Sequence, residues 1–313
     1  EADSALVDDL RKGRDCSAYL APPEPIDWEH VDGFAYTRRR NPIEPDLDID
    51  HYQGVTDLAR LDAEQLRKRD KVFVYRDGGR SPSEAWSVYK CLVFETAPRA
   101  GRRAVLTNGA WFEIEPSFAT DVQRSLRNVA VANVRLLTVN RLRNGKLETE
   151  GAYNKRVAQA HPQTALLDGT TARCRAASSG IEPCDLLTPK RELIHVKHRK
   201  GGSSSLSHLF AQGRISAEAL RADEGFRSEF RSLLRKLRRS WEDRIPLARP
   251  VASDFQVVFA ILGTSNRHPG QELPFFSQLN LVRTNEALVS IGFRVGVVGV
   301  QISGATAGKR VRR

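Results

Sequence analysis

A chain of 313 residues, 40% hydrophobic and 28% charged, has the make-up of a globular protein large enough for two domains, and no apolar run approaches the about 20 residues that span a bilayer. Forty-nine Lys and Arg against 38 Asp and Glu give a formal charge of +11, which points to polyanionic partners, nucleic acid first. Cys16, Cys91, Cys174 and Cys184 have no paired CxxC spacing, so free thiols are expected and a zinc cluster is not.

The opening EADSALVDDL has neither the basic nor the apolar region of a secretion signal, so the cytoplasm is the expected location. A chain without a single Met is expected to continue upstream. Residues 1 to about 60 alternate proline-rich and acidic stretches with little period and read as a segment laid over another surface. LDAEQLRKRD then reads as a short helix. KVFVYRD, WSVYKCLVFET and RRAVLTNGAWFEIE read as strands of a small antiparallel sheet, separated by DGGRSPS and TNG turns. Trp86 and Trp111 on these strands suit core packing better than base stacking. SFATDVQRSLRNV has the spacing of an amphipathic helix with Phe118, Val122 and Leu126 on one face. Residues 1–140 are therefore expected to form an α+β module that ends near NRLRNGK.

From 141 to 304 the expected order is helix, three strands, helices, strand, helix, strand. ETEGAYNKRVAQAH is the first helix, and TALLDG, EPCDLLTP and ELIHVKH are the three strands. SSSLSHLFAQG starts a second helix, and a long basic helix is expected over Arg221 to Arg244. FQVVFAILG, LVRTNEALVSIGF and VGVVGVQI supply the last strand, helix and strand, and the basic tail 305–313 is expected to be disordered. Between Lys197 and Arg244 there are twelve Lys/Arg against six Asp/Glu, so this region is the expected nucleic-acid surface, with DNA favoured over RNA. Its candidate contacts are Arg199, Lys200, Ser204, Ser205, Ser207, His208, Gln212, Arg235, Lys236, Arg238 and Arg239. KGGSSSLSH can also be read as a phosphate cradle, although GxxxxGK[ST] is absent.

Hydrolysis of a phosphodiester needs carboxylates that hold a divalent metal near the phosphate and a cation that stabilises the developing charge. On ELIHVKH the period of two puts His195 and Lys197 on one face, with Ile194, Val196 and His198 on the other. Asp185 on the preceding strand is the natural carboxylate beside them, and Glu150 at the start of the first helix is a second one that can reach the same metal. Glu192, three residues from His195, is expected to face solvent, and Glu182 to stand behind Asp185 or in the turn before its strand.

Glu150, then EPCD ending in Asp185, then His195-Val-Lys197, on that order of elements, resembles the PD-(D/E)xK nucleases, a restriction-endonuclease-like superfamily. Gln212 falls on the following helix, where many members place a glutamine. The resemblance implies an α/β restriction-endonuclease-like core in which Asp185 binds Mg²⁺ or Mn²⁺, Lys197 positions or activates water and Glu150 assists with the metal. His195 stands where those nucleases carry Glu, Asp or Gln; an imidazole there would bind the metal or orient water, and suits zinc, manganese, iron or nickel better than magnesium. The run IEPCDLLTPKRELIHVKHRKGGSSSLSHLFAQGRISAEAL, with WFEI, EGAYNKR and LPFFSQLNL, is similar over nearly the whole chain to an uncharacterised bacterial family described as sporadically distributed. That resemblance implies a patchily inherited gene of the kind found in anti-phage or mobile-element defence. The competing reading is a subunit that binds or senses nucleic acid without cutting it.

Overall fold

The computed structural model describes residues 1–13, 16–23, 31–38, 43–44, 47–99, 102–143, 145–174, 180–199, 202–264 and 268–303, with the side chains of 97–99, 202–205 and 271 left out. The expected basic tail lies outside the described residues, as does Lys200. Two compact units divide between Asp121 and Val122, with Gly201–Ser204 counted with the first. Sequence composition had put the division near residue 140.

In the first unit, α1 (Ala2–Leu10), β1 (Tyr19–Leu20), β2 (Val31–Ala35) and α2 (Ile49–Val55) occupy the stretch in which no period was legible. Leu6 and Leu10 of α1, one turn apart, are fully buried with Tyr52 of α2. The short helix expected at LDAEQLRKRD is present as a π turn over Gln65–Arg69. β3 (Lys71–Arg76) joins β2 and β4 (Glu84–Ser87) in one antiparallel sheet. The expected strand WSVYKCLVFET is interrupted by one helical turn, α3 (Val88–Cys91), because the Ser87 hydroxyl accepts from Lys90 N. β5 (Leu92–Arg99), β6 (Arg102–Thr107) and β7 (Ala110–Ile114) form a second antiparallel sheet in the order β1-β5-β6-β7. Trp86 is buried in the core, and Trp111 donates its indole N–H to Asp3 Oδ1 at 2.9 Å. Both tryptophans are thereby used inside the unit.

α4 (Pro116–Leu126) crosses the division, and its face differs from expectation: Val122 and Leu126 are buried but Phe118 is 40% exposed. The second unit then follows the expected order: α5 (Glu150–Ala160), β8 (Ala165–Leu166), β9 (Leu186–Leu187), β10 (Glu192–His198), α6 (Gly202–Ala222), α7 (Glu224–Leu237), β11 (Gln256–Leu262), α8 (Phe275–Ser290) and β12 (Arg294–Val300). The long basic helix is broken. Asp223 leaves helical geometry and its side chain accepts from Phe226 N to start α7, and a 3-10 turn over Arg239–Arg244 follows α7.

The five strands lie in the order β12-β11-β10-β9-β8. β8, β9 and β10 are antiparallel, whereas β10, β11 and β12 are parallel, in register along the row His195, Phe259, Val297. Parallel neighbours need crossovers, which α6 with α7 and then α8 supply. The pleat sorts side chains to two cores. Leu193, Val257, Phe259 and Val295 pack with residues of α6, α7 and α8, while Ile194, Val196, Val258 and Val298 pack with Tyr153 and Val157 of α5. A mixed sheet thus has helices on both faces. Among the described residues no helix is long and apolar enough to cross a membrane.

Candidate metal centre

β9 pairs with β10 only at Leu187–Leu193 and Leu186–Ile194. Past that point the amides on this edge of β10 lack a strand partner and need other acceptors. Carboxylates supply them: Val196 N donates to Asp185 Oδ2 at 2.7 Å, and His198 N to Glu150 Oε1 at 2.8 Å. These amides lie two residue steps, about 7 Å, apart along the strand, so Asp185 and Glu150 are held in succession along one edge. The other oxygen of Glu150 meets the Lys197 ammonium at 3.1 Å.

Asp185 has two acidic neighbours. Asp168, in the turn after β8, and Glu182, in the approach to β9, each bring a carboxylate oxygen within 4.8 Å of one on Asp185 and of each other. The groups around them fix their positions. Gly169 N donates to Glu182 Oε1 at 2.7 Å, and Gln212 of α6 donates to Glu182 Oε2 at 2.5 Å. Asn154, fully buried on α5, lies with its Nδ2 3.4 Å from Asp185 Oδ1, and its own Oδ1 has no partner among the described residues. Gly151 in the first turn of α5 leaves room for Asp168: a Cβ there would stand 3.1 Å from Asp168 Oδ2.

Burial pushes the Asp185 carboxyl up to about 8, against the pull of the Val196 amide, and the charges of Glu182 and Asp168 raise it further. Burial also raises Glu182, opposed by the Gly169 amide and Gln212. Three carboxylates crowded in this way repel one another unless a proton or a cation stands among them. All-oxygen donors suit a hard divalent ion such as Mg²⁺ or Mn²⁺. Asp168, Glu182 and Asp185 could hold such an ion.

The structure brings Asp185 to the acidic trio and joins Lys197 to Glu150, but places His195 elsewhere. His195 is fully buried under α6, its ring centroid 6.1 Å from that of Phe259, and burial depresses its pKa to about 3. Period two put it on one face with Lys197, but does not say how deep that face lies. Glu192 is also buried, 9% exposed, and accepts from the Thr188 hydroxyl at 2.6 Å. His198 Nε2 lies 2.8 Å from Glu148 O.

Of the expected nucleic-acid contacts, Gln212 belongs to the trio's surround, and the exposed His208 acts electrostatically on Glu182. Ser207 accepts from Asn280 at 2.6 Å, and Arg199 pairs with Glu272 at 3.0 Å. Arg235 pairs with Glu242 at 2.6 Å, Lys236 and Arg239 are exposed, and Arg238 covers Trp241. The side chains of Ser204 and Ser205 are outside the described residues. Asp168 is the ligand candidate that the sequence did not reveal. It sits in a turn without period, and only TALLDG, ending a short strand beside the Asp185 strand, hinted at it.

No curated protein and no solved structure matches this chain. Residues 1–301 match the family of unknown function DUF6119, and the chain belongs to that family.

Proposed function

We propose that the protein is a metal-dependent phosphodiesterase acting on nucleic acid, DNA before RNA, and that its second unit is a restriction-endonuclease-like core. The observation that carries this reading is the Asp168, Glu182, Asp185 trio placed where β9 parts from β10, next to the Lys197–Glu150 pair. Support also comes from the sheet, in which a helix precedes three antiparallel strands and a parallel strand follows a helical crossover.

When bound, the divalent ion supplies Lewis acidity to the phosphodiester and lowers the pKa of water. Asp168, Glu182 and Asp185 would hold it. Gln212 and the Gly169 amide keep Glu182 in place, while the Val196 amide and Asn154 fix Asp185. Lys197, one third exposed, presents a positive charge at the same strand edge, where it would stabilise charge developing on the phosphate. Glu150 positions Lys197 through the 3.1 Å contact. His195 has no part in this scheme except as packing.

The burial of His195, at the position where the resembling nucleases carry a metal-binding side chain, favours a second reading: a nucleic-acid-binding subunit that keeps the fold without cutting. Cleavage of plasmid, single-stranded DNA and RNA in EDTA, Mg²⁺ and Mn²⁺ separates the two. Metal-dependent cutting that falls at least 100-fold in Asp185→Ala and Lys197→Ala supports the phosphodiesterase. Binding of nucleic acid with no cutting in any metal supports the second reading.

A further inference from the structure

α5 turns Asn154 toward Asp185 and, one residue on, exposes Lys155 beside a different cavity. This cavity, of about 330 Å³, opens where the end of α5 and the turn at Pro162–Thr164 meet the end of α7 and the 3-10 turn behind it. Ala158, Pro162, Leu166 and Leu237 give it apolar walls with the buried Trp241, and Gln159 and Thr164 add hydrogen-bonding groups. Arg238 and Arg244 do not line the cavity but stand over its tryptophan, their guanidinium groups 4.9 Å and 4.3 Å from the ring centroid.

Few carboxylates offset these cations. Arg238 bonds only to Gln163 Oε1, at 3.3 Å, and Arg244 to Leu187 O, at 3.3 Å; neither they nor Lys155 has a carboxylate partner among the described residues. The acids nearest in sequence are already engaged. Glu242 accepts from Arg235 at 2.6 Å, and Asp243 lies 3.5 Å from Arg231. Carbonyl ends of α5 and α7 contribute about half a negative charge each, which three cations outweigh. Arg244 is partly desolvated and repelled by Arg238, and both effects lower its pKa, so an anion would relieve the pair.

We propose that this cavity binds a nucleoside phosphate, the phosphate on Lys155, Arg238 and Arg244 and the base against the apolar walls. Arginine favours phosphate because its planar fork can donate two hydrogen bonds at once. Ligand pockets begin near 300 Å³, so this one has room for a single nucleotide. The occupant is a free nucleotide or one residue of a strand. None of the cavity residues belongs to the acidic trio, and the inference does not rest on the phosphodiesterase reading.

The test is calorimetric titration of the full chain, in EDTA, with AMP, GMP, CMP, UMP, inorganic phosphate and a 5′-phosphorylated single-stranded octanucleotide. At least one mononucleotide or the octanucleotide is expected to bind with a sub-millimolar Kd. Lys155→Glu and Arg238→Glu, both exposed positions, are expected to weaken that binding at least tenfold each. Arg60→Glu, an equal charge change on an exposed side chain of the first unit, is expected to leave it within twofold. Tighter mononucleotide binding identifies a free nucleotide as occupant, and binding of the octanucleotide alone identifies a strand. The proposal is overturned if none of these ligands binds, if inorganic phosphate binds as tightly as the nucleotides, or if all three variants bind like the wild type. EDTA silences the acidic trio, so failure here leaves the phosphodiesterase reading standing.

Discussion

Burial acts on His195 and Asp185 with opposite sign. The folded-state pKa of His195 lies below its unfolded value of about 6.5, so its contribution to stability is present above pH 6.5 and is lost as pH falls toward 3. The limiting slope is about 1.4 kcal/mol per pH unit. Urea unfolding between pH 7 and 4.5 is expected to show that acid loss in the wild type and a flatter profile in His195→Leu. Equal profiles would mean that the imidazole is solvated. Asp185 behaves in reverse: its raised pKa favours folding in acid, and that contribution fades as pH climbs through about 8. On the proposed reading a divalent ion would replace the proton there. The rise in Tm given by Mn²⁺ or Mg²⁺ should therefore grow between pH 6 and 8.5 and vanish in Asp185→Asn, as differential scanning fluorimetry can measure.

Two helices depend on single positions. α6 lies close against His195 and Phe259 only because residue 213 is glycine: a Cβ there would run into the Phe259 ring, 2.9 Å from Cζ, and stand 3.2 Å from His195 Cδ2. Gly213→Ala is expected to destabilise the protein by about 1–3 kcal/mol through overpacking, although alanine is the better helix former. Unchanged stability would show that α6 can shift. Arg227, 4% exposed on α7, donates to the carbonyls of Leu220, Arg221 and Leu247. Two of these are last-turn carbonyls of α6, which otherwise lack partners. Arg227→Met should cost about 2–3 kcal/mol in chemical denaturation, and a loss below 0.5 kcal/mol would mean that water replaces the guanidinium.

At this scale the sequence was legible where period and chemistry coincide. ELIHVKH gave β10 its bounds; Asp185, Lys197 and Glu150 were singled out from their places on elements and Gln212 from the resemblance, and the structure joins Lys197 to Glu150 and Gln212 to Glu182. Depth and long-range pairing were not legible. His195 and Glu192 look exposed in one dimension and are buried by α6 and by Thr188. Asp168 and Glu182 lie in turns and reach Asp185 only because β8 and β9 pair. The helix expected across Arg221–Arg244 divides because an Asp prefers to cap, which a charge count does not register.

For the whole molecule, the +11 charge is less available than its total suggests. Arg227 and Arg231 bond to backbone carbonyls, and Arg199, Arg214 and Arg235 are paired with carboxylates, so much of the basic stretch between Lys197 and Arg244 serves the fold. Arg238 and Arg244 bond to neutral oxygens instead, which is why the proposed phosphate site uses them. The first unit has its own core and its own ion pairs, among them Asp3 with Arg67 at 2.6 Å.

The most direct measurement is cleavage of supercoiled plasmid by the full chain in Mn²⁺ against EDTA, with Asp185→Ala alongside. The expected result is nicking or linearisation in Mn²⁺, none in EDTA, and a loss of at least 100-fold in Asp185→Ala. A folded wild-type protein that cuts neither DNA nor RNA in Mg²⁺ or Mn²⁺, and whose Tm neither ion raises, would contradict the account.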